Sequence, residues 1–317
     1  MALSLTTRVR ARRRRRELTA EPLCGIVSEL GEGPRWDPEN RALVWLDVPK
    51  LLMHRVDHNG TVITVSLSAR VSAVGMCGSG RRYVAATEFG FGFVDPLTGR
   101  VEPIVSVEEE GRARMNDGGI DSAGRFFAGS VSADAGEANG SLYCLRPNGS
   151  AHRVFGDVRL SNGIGWSADG RFMYFVDSLR GSLDRFDFEM VTGTPSGRRS
   201  VAVFPAADGV PDGLCLDAED HIWVALWGGG AVRCYAPTGE LIQTVRAPCR
   251  NVTACSFGSG NDDTLYITSA EIEDEASPAA GRLFACQVAA KGASIARFDD
   301  HLWPMGSNGD SGSIQRR

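Results

Sequence analysis

The sequence predicts an all-β protein, a six-bladed β-propeller with four antiparallel strands in each blade around a central channel. Three observations support this prediction. Short apolar runs are separated by Gly, Asp, Asn and Pro, one pattern of strands recurs six times, and glycine is abundant, at 38 of 317 residues. A stack of small β domains would also contain short strands, but it does not explain six similar units.

The recurring unit is clearest in its most apolar strand, which returns roughly every 40 to 50 residues. The six copies cover residues 42–48, 82–88, 125–131, 171–178, 221–227 and 264–270. A further strand candidate follows each copy, and the first five units add an outer one, as in TVITVSLS and SVAVFPA. The sixth unit offers only ASIARFDD. We therefore predict that the N-terminal segment PLCGIVSEL supplies its outer strand and closes the ring.

An inner strand precedes each apolar strand, as in GEGPRWD, MNDGGID, SNGIGWS and PDGLCLD. Glycine suits these strands because six of them converge on the axis, where large side chains would collide. Four inner strands begin with a polar side chain: Glu32, Asn116, Asn162 and Asp212. In a propeller these starts meet at one end of the channel, and their oxygens suit a divalent cation. The alternative is that the four side chains cap strands and bind water in the channel.

The chain ends lie outside the repeat. Seven arginines fall between residues 8 and 16, and without them 27 basic residues face 39 acidic ones. We predict a basic, disordered extension over 1–20, the propeller over 21–300 and a flexible tail over 301–317. The acidic folded part argues against a nucleic-acid partner. The Arg-rich run lacks the apolar region of a secretory signal, and no stretch approaches the ~20 apolar residues of a membrane span.

The eight cysteines include no C-x-x-C pair, and several fall in apolar strands, as in YCLR and FACQV. Reduced, buried thiols in a cytoplasmic protein are the preferred interpretation. We expect a monomer or weak dimer that acts on a small molecule. Other chemistries find little support, because the five histidines lack metal-ligand spacing and no G-x-S-x-G nucleophile motif is present. Most tryptophans alternate with apolar residues and predict core packing.

Five segments in order resemble one known family: GEGPRW, RMNDGGIDSAGRFFAG, LSNGIGWSADGRFMYFVDS, FDFEMVTG and PDGLCLDAEDHIWVA. They are similar to the motifs of the regucalcin–gluconolactonase family, also called the senescence-marker-protein family. The resemblance runs from about Glu21 to about Val288. It implies a six-bladed propeller with one divalent cation in the channel, and hydrolysis of sugar lactones to aldonic acids.

The resemblance also implies roles for particular residues. The metal ligands of the family fall on Glu32, Asn162 and Asp212, and two of its substrate-binding residues fall on Arg114 and Asn116. An oxygen-rich site of this kind admits Ca²⁺, Mg²⁺, Mn²⁺, Zn²⁺ or Fe²⁺. Asp212, beside the cation, is the candidate general base for the attacking water.

One assignment from the resemblance stays open. An acidic substrate residue follows the FAG strand, and counting without a gap places it at Asp134, with Glu137 as the alternative. Gly119 stands where some members carry Lys, a change that we expect to affect substrate preference. Two alternatives to a lactonase also remain: a non-catalytic propeller that binds calcium or a small ligand, and a related propeller esterase.

Overall fold

Six sheets form a ring in the structure. The computed structural model describes residues 16–110, 112–134, 138–258 and 263–303. Five of the sheets contain four strands, the other contains five, and the four consecutive strands of each blade pair antiparallel. The inner strands pack in order around one axis, and the last packs against the first. The predicted all-β, six-bladed propeller is therefore confirmed.

The strands fall into four positions from the axis outward. The inner strands are β3 (Gly31–Asp37), β7 (Val71–Met76), β11 (Ala113–Ile120), β15 (Ser161–Trp166), β19 (Val210–Leu216) and β23 (Val252–Phe257). The second strands are β4 (Ala42–Asp47), β8 (Tyr83–Thr87), β12 (Phe126–Ser132), β16 (Phe172–Asp177), β20 (Ile222–Trp227) and β24 (Thr264–Ser269). The third strands are β5 (Leu52–Asp57), β9 (Gly90–Val94), β13 (Gly140–Leu145), β17 (Ser182–Glu189), β21 (Ala231–Tyr235) and β25 (Arg282–Gln287). The outer strands are β6 (Val62–Ser66), β10 (Val101–Ser106), β14 (Ala151–Val158), β18 (Thr194–Val203), β22 (Leu241–Arg246) and β2 (Glu21–Val27).

Helical structure among the described residues is limited to two single turns of 3-10 helix, Ser178–Arg180 and Ala206–Asp208. No helix in this part of the chain is long and apolar enough to cross a membrane.

Glycines in the inner strands allow neighbouring blades to approach closely. A Cβ atom at Gly163 would lie 2.5 Å from the backbone nitrogen of Leu214, and one at Gly213 would lie 2.5 Å from the Cβ of Ala254. Real Cβ contacts are not that short, so a larger residue would push the inner strands apart. The sequence-based explanation for glycine near the axis therefore holds at these positions.

The N-terminal segment closes the ring as predicted. β2 pairs antiparallel with β25, with Glu21 opposite Ala285, and so completes the sixth blade. The first and last parts of the propeller thus share one sheet, which leaves no unpaired break between them.

The boundary predicted for the N-terminal extension differs from the structure. Strand β1 (Arg16–Thr19) adds a fifth strand to the fifth blade by pairing parallel with β22, although we placed residues up to 20 in a disordered extension. Glu17 forms an ion pair with Arg246 at 2.6 Å, and Ala20 is buried. A free strand edge explains the difference, because β22 offers unpaired backbone groups to whatever extended segment lies beside it. The rest of the Arg-rich run lies outside the described residues.

Two truncations test whether β1 stabilises the propeller or whether residues 1–20 are a dispensable extension. Deleting residues 1–15 should leave the melting temperature unchanged, whereas deleting 1–20 should lower it by roughly 2–5 °C, because β1 and the burial of Ala20 are lost. Both proteins keep β2, so ring closure is the same. Thermal melts followed by circular dichroism make the comparison, and equal melting temperatures would show that β1 contributes nothing to stability.

The first residues of the predicted C-terminal tail pack against the propeller. Residues 288–303, called the strap here, cross one mouth of the channel from the fifth blade to the second. They form isolated bridges between Gly292 and Asp217 and between Phe298 and Cys77. The strap is anchored at its end, where Asp300 accepts hydrogen bonds from Ser79 and from the Arg82 guanidinium.

The predicted flexible tail over 301–317 therefore needs correction at its start. The Trp303 ring packs edge-on against Phe93 at 5.1 Å, and its Nε1 donates to the carbonyl of Pro147 at 2.8 Å. A large aromatic side chain gains burial here that the sequence pattern did not reveal. Residues 304–317 lie outside the described part of the chain.

Candidate functional site

Polar side chains meet at the channel mouth opposite the strap, where the inner strands begin. They surround a cavity of about 40 Å³, lined by Glu32, Arg70, Arg114, Asn116, Asp117 and Asn162, with Ser72 and two apolar residues. Asp212 stands beside them, and the charges of Glu32 and Asp117 act on it. A cavity of this size has room for a cation with a few waters. A sugar-sized ligand must therefore extend outward through the mouth.

Breaks in strand pairing position these side chains. The ladders between inner and second strands skip the residues between Met115 and Gly118, Ser161 and Ile164, and Pro211 and Leu214. The skipped pairs contain Asn116 and Asp117, Asn162, and Asp212. A β-bulge releases residues from the ladder and redirects their side chains. Glu32 borders a similar break in β3, so the same device recurs around the ring.

Three carboxyl groups share this small space. Burial raises the pKa of Glu32 to about 8, and the nearby Asp117 charge adds to the effect. Burial also raises the pKa of Asp212 well above its usual range, with further contributions from Glu32 and Asp117. The pKa of Asp117 rises through burial as well. Without a cation, the three groups cannot all be ionised at low cost.

Asp212 provides a second observation. Its Oδ1 atom is buried and has no hydrogen-bond partner among the described residues. An orphaned, buried carboxylate oxygen is costly unless a cation or an ordered water satisfies it. Together with two more carboxyl groups and an amide oxygen, this atom forms a set of donors that fits a divalent cation.

Asn162 is held in one orientation by its neighbours. Its Nδ2 donates to Ser178 Oγ at 2.9 Å, and Ser178 Oγ in turn donates to the carbonyl of Pro211 at 2.6 Å. This chain of hydrogen bonds occupies the amide nitrogen, so Oδ1, which has a 3.4 Å contact from Asn116 Nδ2, is the atom available to a cation. Ser178 therefore acts as a positioning residue for Asn162, and it was not singled out from the sequence.

Asn116 has a different environment from Asn162. Its Oδ1 accepts a hydrogen bond from Arg114 Nη1 at 3.0 Å, and its Nδ2 donates to the carbonyl of Ser161 at 2.8 Å. A longer contact of 3.4 Å joins Nδ2 to Asn162 Oδ1. Because both ends of its amide are hydrogen-bonded, Asn116 offers no free oxygen to a cation. It instead connects Arg114 to Ser161 and Asn162 of the next blade.

Arg35 lies below the carboxylates. Its Nη2 donates to the carbonyl of Gly118 at 2.8 Å, and its positive charge opposes the rise that burial causes in the pKa of Asp117 and of Glu32. The side chain also lines a second cavity on the strap side of the channel. Arg35 therefore lines the strap-side cavity and supplies one fixed positive charge to the carboxylate cluster.

The cavity on the strap side is larger, about 440 Å³, but its chemistry is different. Its walls are mostly apolar, with Trp36, Trp166, Leu216 and Phe257 among them, and strap residues 293–297 cover it. It contains none of the clustered carboxylates. Gly119, which stands where some family members carry Lys, lines this cavity. The position that we expected to affect substrate preference therefore lies at the opposite end of β11 from Arg114.

Asp134 and Glu137 remain apart from this cluster. Asp134 is exposed on the loop after β12 and does not line the small cavity, and its backbone nitrogen donates to Ser132 Oγ at 3.2 Å. Its role with substrate stays a prediction. Glu137 lies outside the described residues.

Another group of potential metal ligands, Asp217, His221 and Cys234, lies in the fifth blade. Asp217 already accepts hydrogen bonds from two backbone amides, from Trp223 Nε1 and from His221 Nδ1. Asp37 and Asp121 hold the equivalent turns of other blades through the same backbone pattern. The group is therefore a structural feature of the repeat, in which Asp stabilises the turn between the first two strands.

Comparison with known proteins identifies the relatives of this chain. Residues 30–271 match the family profile described as the SMP-30/Gluconolactonase/LRE-like region. The chain belongs to this family. Regucalcin of Danio rerio is 37% identical over 248 residues, which cover 77% of this chain and 84% of that protein. Human regucalcin is 36% identical over 248 residues, covering 76% of this chain and 83% of that protein.

Solved structures of the SMP-30/gluconolactonase family share the fold. A calcium-binding protein, regucalcin from Agrobacterium tumefaciens, superposes with a TM-score of 0.83 at 27% identity, covering 89% of this chain and 98% of that one. A luciferin-regenerating enzyme superposes with a TM-score of 0.80 at 28% identity, covering 86% and 96%. The resemblance noted from the sequence motifs is thus confirmed at the level of the family.

Besides Ser178, the residues of the site that escaped the sequence reasoning include Arg70, Asp117 and Arg35. Asp117 follows Asn116 in the motif MNDGG, where Asn, Asp and Gly together resemble a turn. Arg35 lies in the middle of a short strand, and nothing in its neighbours suggests that it points along the channel. The sequence signal that could have revealed them is the loss of alternation between apolar and polar residues at the start of each inner strand, which is typical of a bulge.

Proposed function

We propose that this protein hydrolyses a sugar lactone to the aldonic acid in a reaction that depends on a divalent cation. The observation that carries the proposal is the unpartnered Asp212 Oδ1 among buried carboxyl groups, beside the Arg114–Asn116 pair. Membership of a family named after gluconolactonase supports the choice of substrate class, and the description of one relative as a calcium-binding protein supports the cation.

Glu32, Asn162 and Asp212 would hold the cation, and the nearby Asp117 carboxylate would add negative charge to the site. When bound, a divalent cation supplies Lewis-acid stabilisation for the negative charge that develops on the carbonyl oxygen of the lactone. Its positive charge also favours the ionised form of Asp212, whose pKa is otherwise raised by burial and by the carboxylates around it.

Asp212 acts as the general base in this proposal. It takes a proton from a water molecule as the water oxygen forms a bond to the carbonyl carbon of the lactone. The bond between that carbon and the ring oxygen then breaks, and the ring oxygen receives the proton as it becomes a hydroxyl group. Ring opening yields one carboxylic acid, which ionises at neutral pH, so the water atoms are fully accounted for.

Arg114 and Asn116 hold the sugar in the proposed complex. The hydrogen bond from Arg114 Nη1 to Asn116 Oδ1 fixes both side chains at the cavity wall and leaves other guanidinium donors for sugar hydroxyl groups. Asp134 would accept a hydrogen bond from a hydroxyl group on the outer part of the sugar. The partner is thus a small molecule rather than a macromolecule.

A lactone panel on metal-stripped protein tests the proposal. The protein is reloaded separately with Ca²⁺, Mg²⁺, Mn²⁺, Zn²⁺ and Fe²⁺ and assayed by acid release from glucono-, xylono-, arabinono- and galactonolactone. We expect background rates without metal and turnover of at least one lactone with at least one cation. Tight cation binding without turnover of any lactone would favour a non-catalytic calcium-binding protein, and hydrolysis of aryl esters alone would favour an esterase.

A further inference from the structure

Two arginines from neighbouring blades face the same small cavity. Arg70 precedes β7 in the second blade, and Arg114 lies in β11 of the third blade; both line the wall above the carboxylates. Burial lowers the pKa of Arg114, and the nearby positive charge of Arg70 lowers it further. The two charges are therefore close enough to interact. Like charges held together in a partly buried wall need a reason, since they repel.

Two carboxylates act on these arginines, Glu88 on both of them and Glu32 on Arg114, but neither carboxylate forms a hydrogen bond with them among the described residues. Arg70 has one ion pair, a loose one, in which its Nε lies 3.7 Å from Glu88 Oε1, and that carboxylate is 48% exposed. Arg114 has no carboxylate oxygen within 4.0 Å among the described residues. Its hydrogen bonds to described residues both use Nη1, one to Asn116 Oδ1 and one, at 3.4 Å, to the carbonyl of Met115. Most of the guanidinium donors therefore remain for a ligand.

The carboxylates deeper in the channel do not need these two charges. Glu32, Asp117 and Asp212 together carry three negative charges when ionised, and one divalent cation together with the Arg35 guanidinium balances them. The Glu88 carboxylate offsets one of the two charges of Arg70 and Arg114, which leaves one surplus positive charge at the mouth. A neutral aldonolactone would leave that charge uncompensated when it displaced water from the cavity.

We propose that Arg70 and Arg114 bind an anionic group of the substrate, and that the preferred substrates are lactones bearing a carboxylate or phosphate away from the ester. This inference rests on the proposed lactonase function. Guanidinium groups suit such a group because their planar fork can bind two oxygens at once. The anion would lie at the outer end of the ligand, while the ester lies deeper, beside Asp212.

Substitution of Arg70 tests the inference in the full-length, metal-loaded protein. The measured quantity is kcat/KM for a charged lactone divided by kcat/KM for neutral gluconolactone. Two charged substrates, 6-phosphogluconolactone and a glucarolactone, distinguish phosphate from carboxylate. Arg70→Met should lower the ratio by roughly 10- to 100-fold for the anion that the site binds, as expected for a lost charge-assisted hydrogen bond. Arg70→Lys should lower it less, because the charge remains.

Arg159→Met is the matched control, since Arg159 is an exposed arginine next to β15 on the same face but does not line the cavity. It should leave the ratio unchanged, which separates a local contact from loss of net positive charge. A fall in the ratio for either charged substrate supports the proposal and identifies the anion. An equal effect of Arg70→Met and Arg159→Met, or no change in either ratio, overturns it.

A binding measurement keeps this inference separate from the proposed activity. Calorimetry with sorbitol 6-phosphate, glucarate and neutral sorbitol needs no hydrolysis. If the protein turned over no lactone but bound one of the anions at least 10-fold more tightly than Arg70→Met, the anion site would stand and the lactonase proposal would fall. If lactones were hydrolysed but neither anion bound more tightly than sorbitol, the lactonase proposal would stand and the anion site would fall.

Discussion

Asp212→Asn should lower kcat by roughly 10²- to 10⁴-fold at saturating metal, the usual range for loss of a general base. The amide keeps an oxygen that can face the cation and has nearly the same shape, so the inner strand need not move. It removes the negative charge and the basic site, which the proposed reaction needs when water loses its proton. Cation affinity should fall more modestly than kcat.

The measurement is kcat for wild type and variant, each with its cation occupancy determined in the same sample. Asp217→Asn is a matched control, because it makes the same change just beyond the end of the same strand, where Asp217 stabilises a turn. That control should lower the melting temperature but keep kcat. A metal-loaded Asp212→Asn protein that retained more than about a tenth of the wild-type kcat would exclude Asp212 as the base.

Glu32→Gln should weaken cation binding by roughly 100-fold or more, because the charge of the ligands strongly sets the affinity for hard cations. The raised pKa of Glu32, about 8, adds a second readout. At pH 7 the metal-free protein holds a proton on this cluster, which a cation must displace. Calorimetry in two buffers of different ionisation enthalpy should therefore show about one fewer proton released by the variant.

The raised pKa of Glu32 also determines whether the metal-free protein becomes more or less stable as the pH rises. The folded-state pKa of Glu32, about 8, lies above its ordinary value of 4.5, so between these values the folded state holds more protons than the unfolded state. The contribution of this group to stability is therefore most favourable below about pH 4.5 and falls as the pH rises towards 8. Metal-free melts at pH 5.5 and 8.5 should show this loss in wild type and a smaller one in Glu32→Gln.

Undiminished metal occupancy in Glu32→Gln and in Asn162→Ala would contradict the ligand assignment.

The repeated strands were predictable because their pattern is local. Alternating apolar residues and turn-forming residues defined the second strands to within a residue or two, as at Ala42–Asp47 and Thr264–Ser269. The ring of six blades was predictable from the sixfold repeat and from the glycines of the inner strands. The chain ends were less predictable, since β1 has four residues and forms only because β22 offers a free edge.

The predictable part of the site was the set of polar residues that begin the inner strands. Glu32, Asn116 and Asn162 all line the small cavity, because the bulges occur at matching positions in different blades. Arg35 could not be placed in this way, since its role depends on which direction a long side chain takes inside the channel. The distinction between Asn116 and Asn162 also depends on contacts between blades, which no single segment encodes.

Ring closure by β2 has a consequence for how the protein is made. The sixth blade joins residues 21–27 to residues 282–287, so its outer strand is synthesised long before the strand with which it pairs. Until that late segment emerges, β2 has no partner and the channel cannot close, so the carboxylates of Glu32 and Asp212 cannot be brought together. The nascent chain must therefore hold five blades in an unclosed ring before any cation site exists. Such long-range pairing is slow and leaves strand edges exposed to aggregation, which makes biosynthesis, more than the finished fold, the stage at which chaperones matter for this chain.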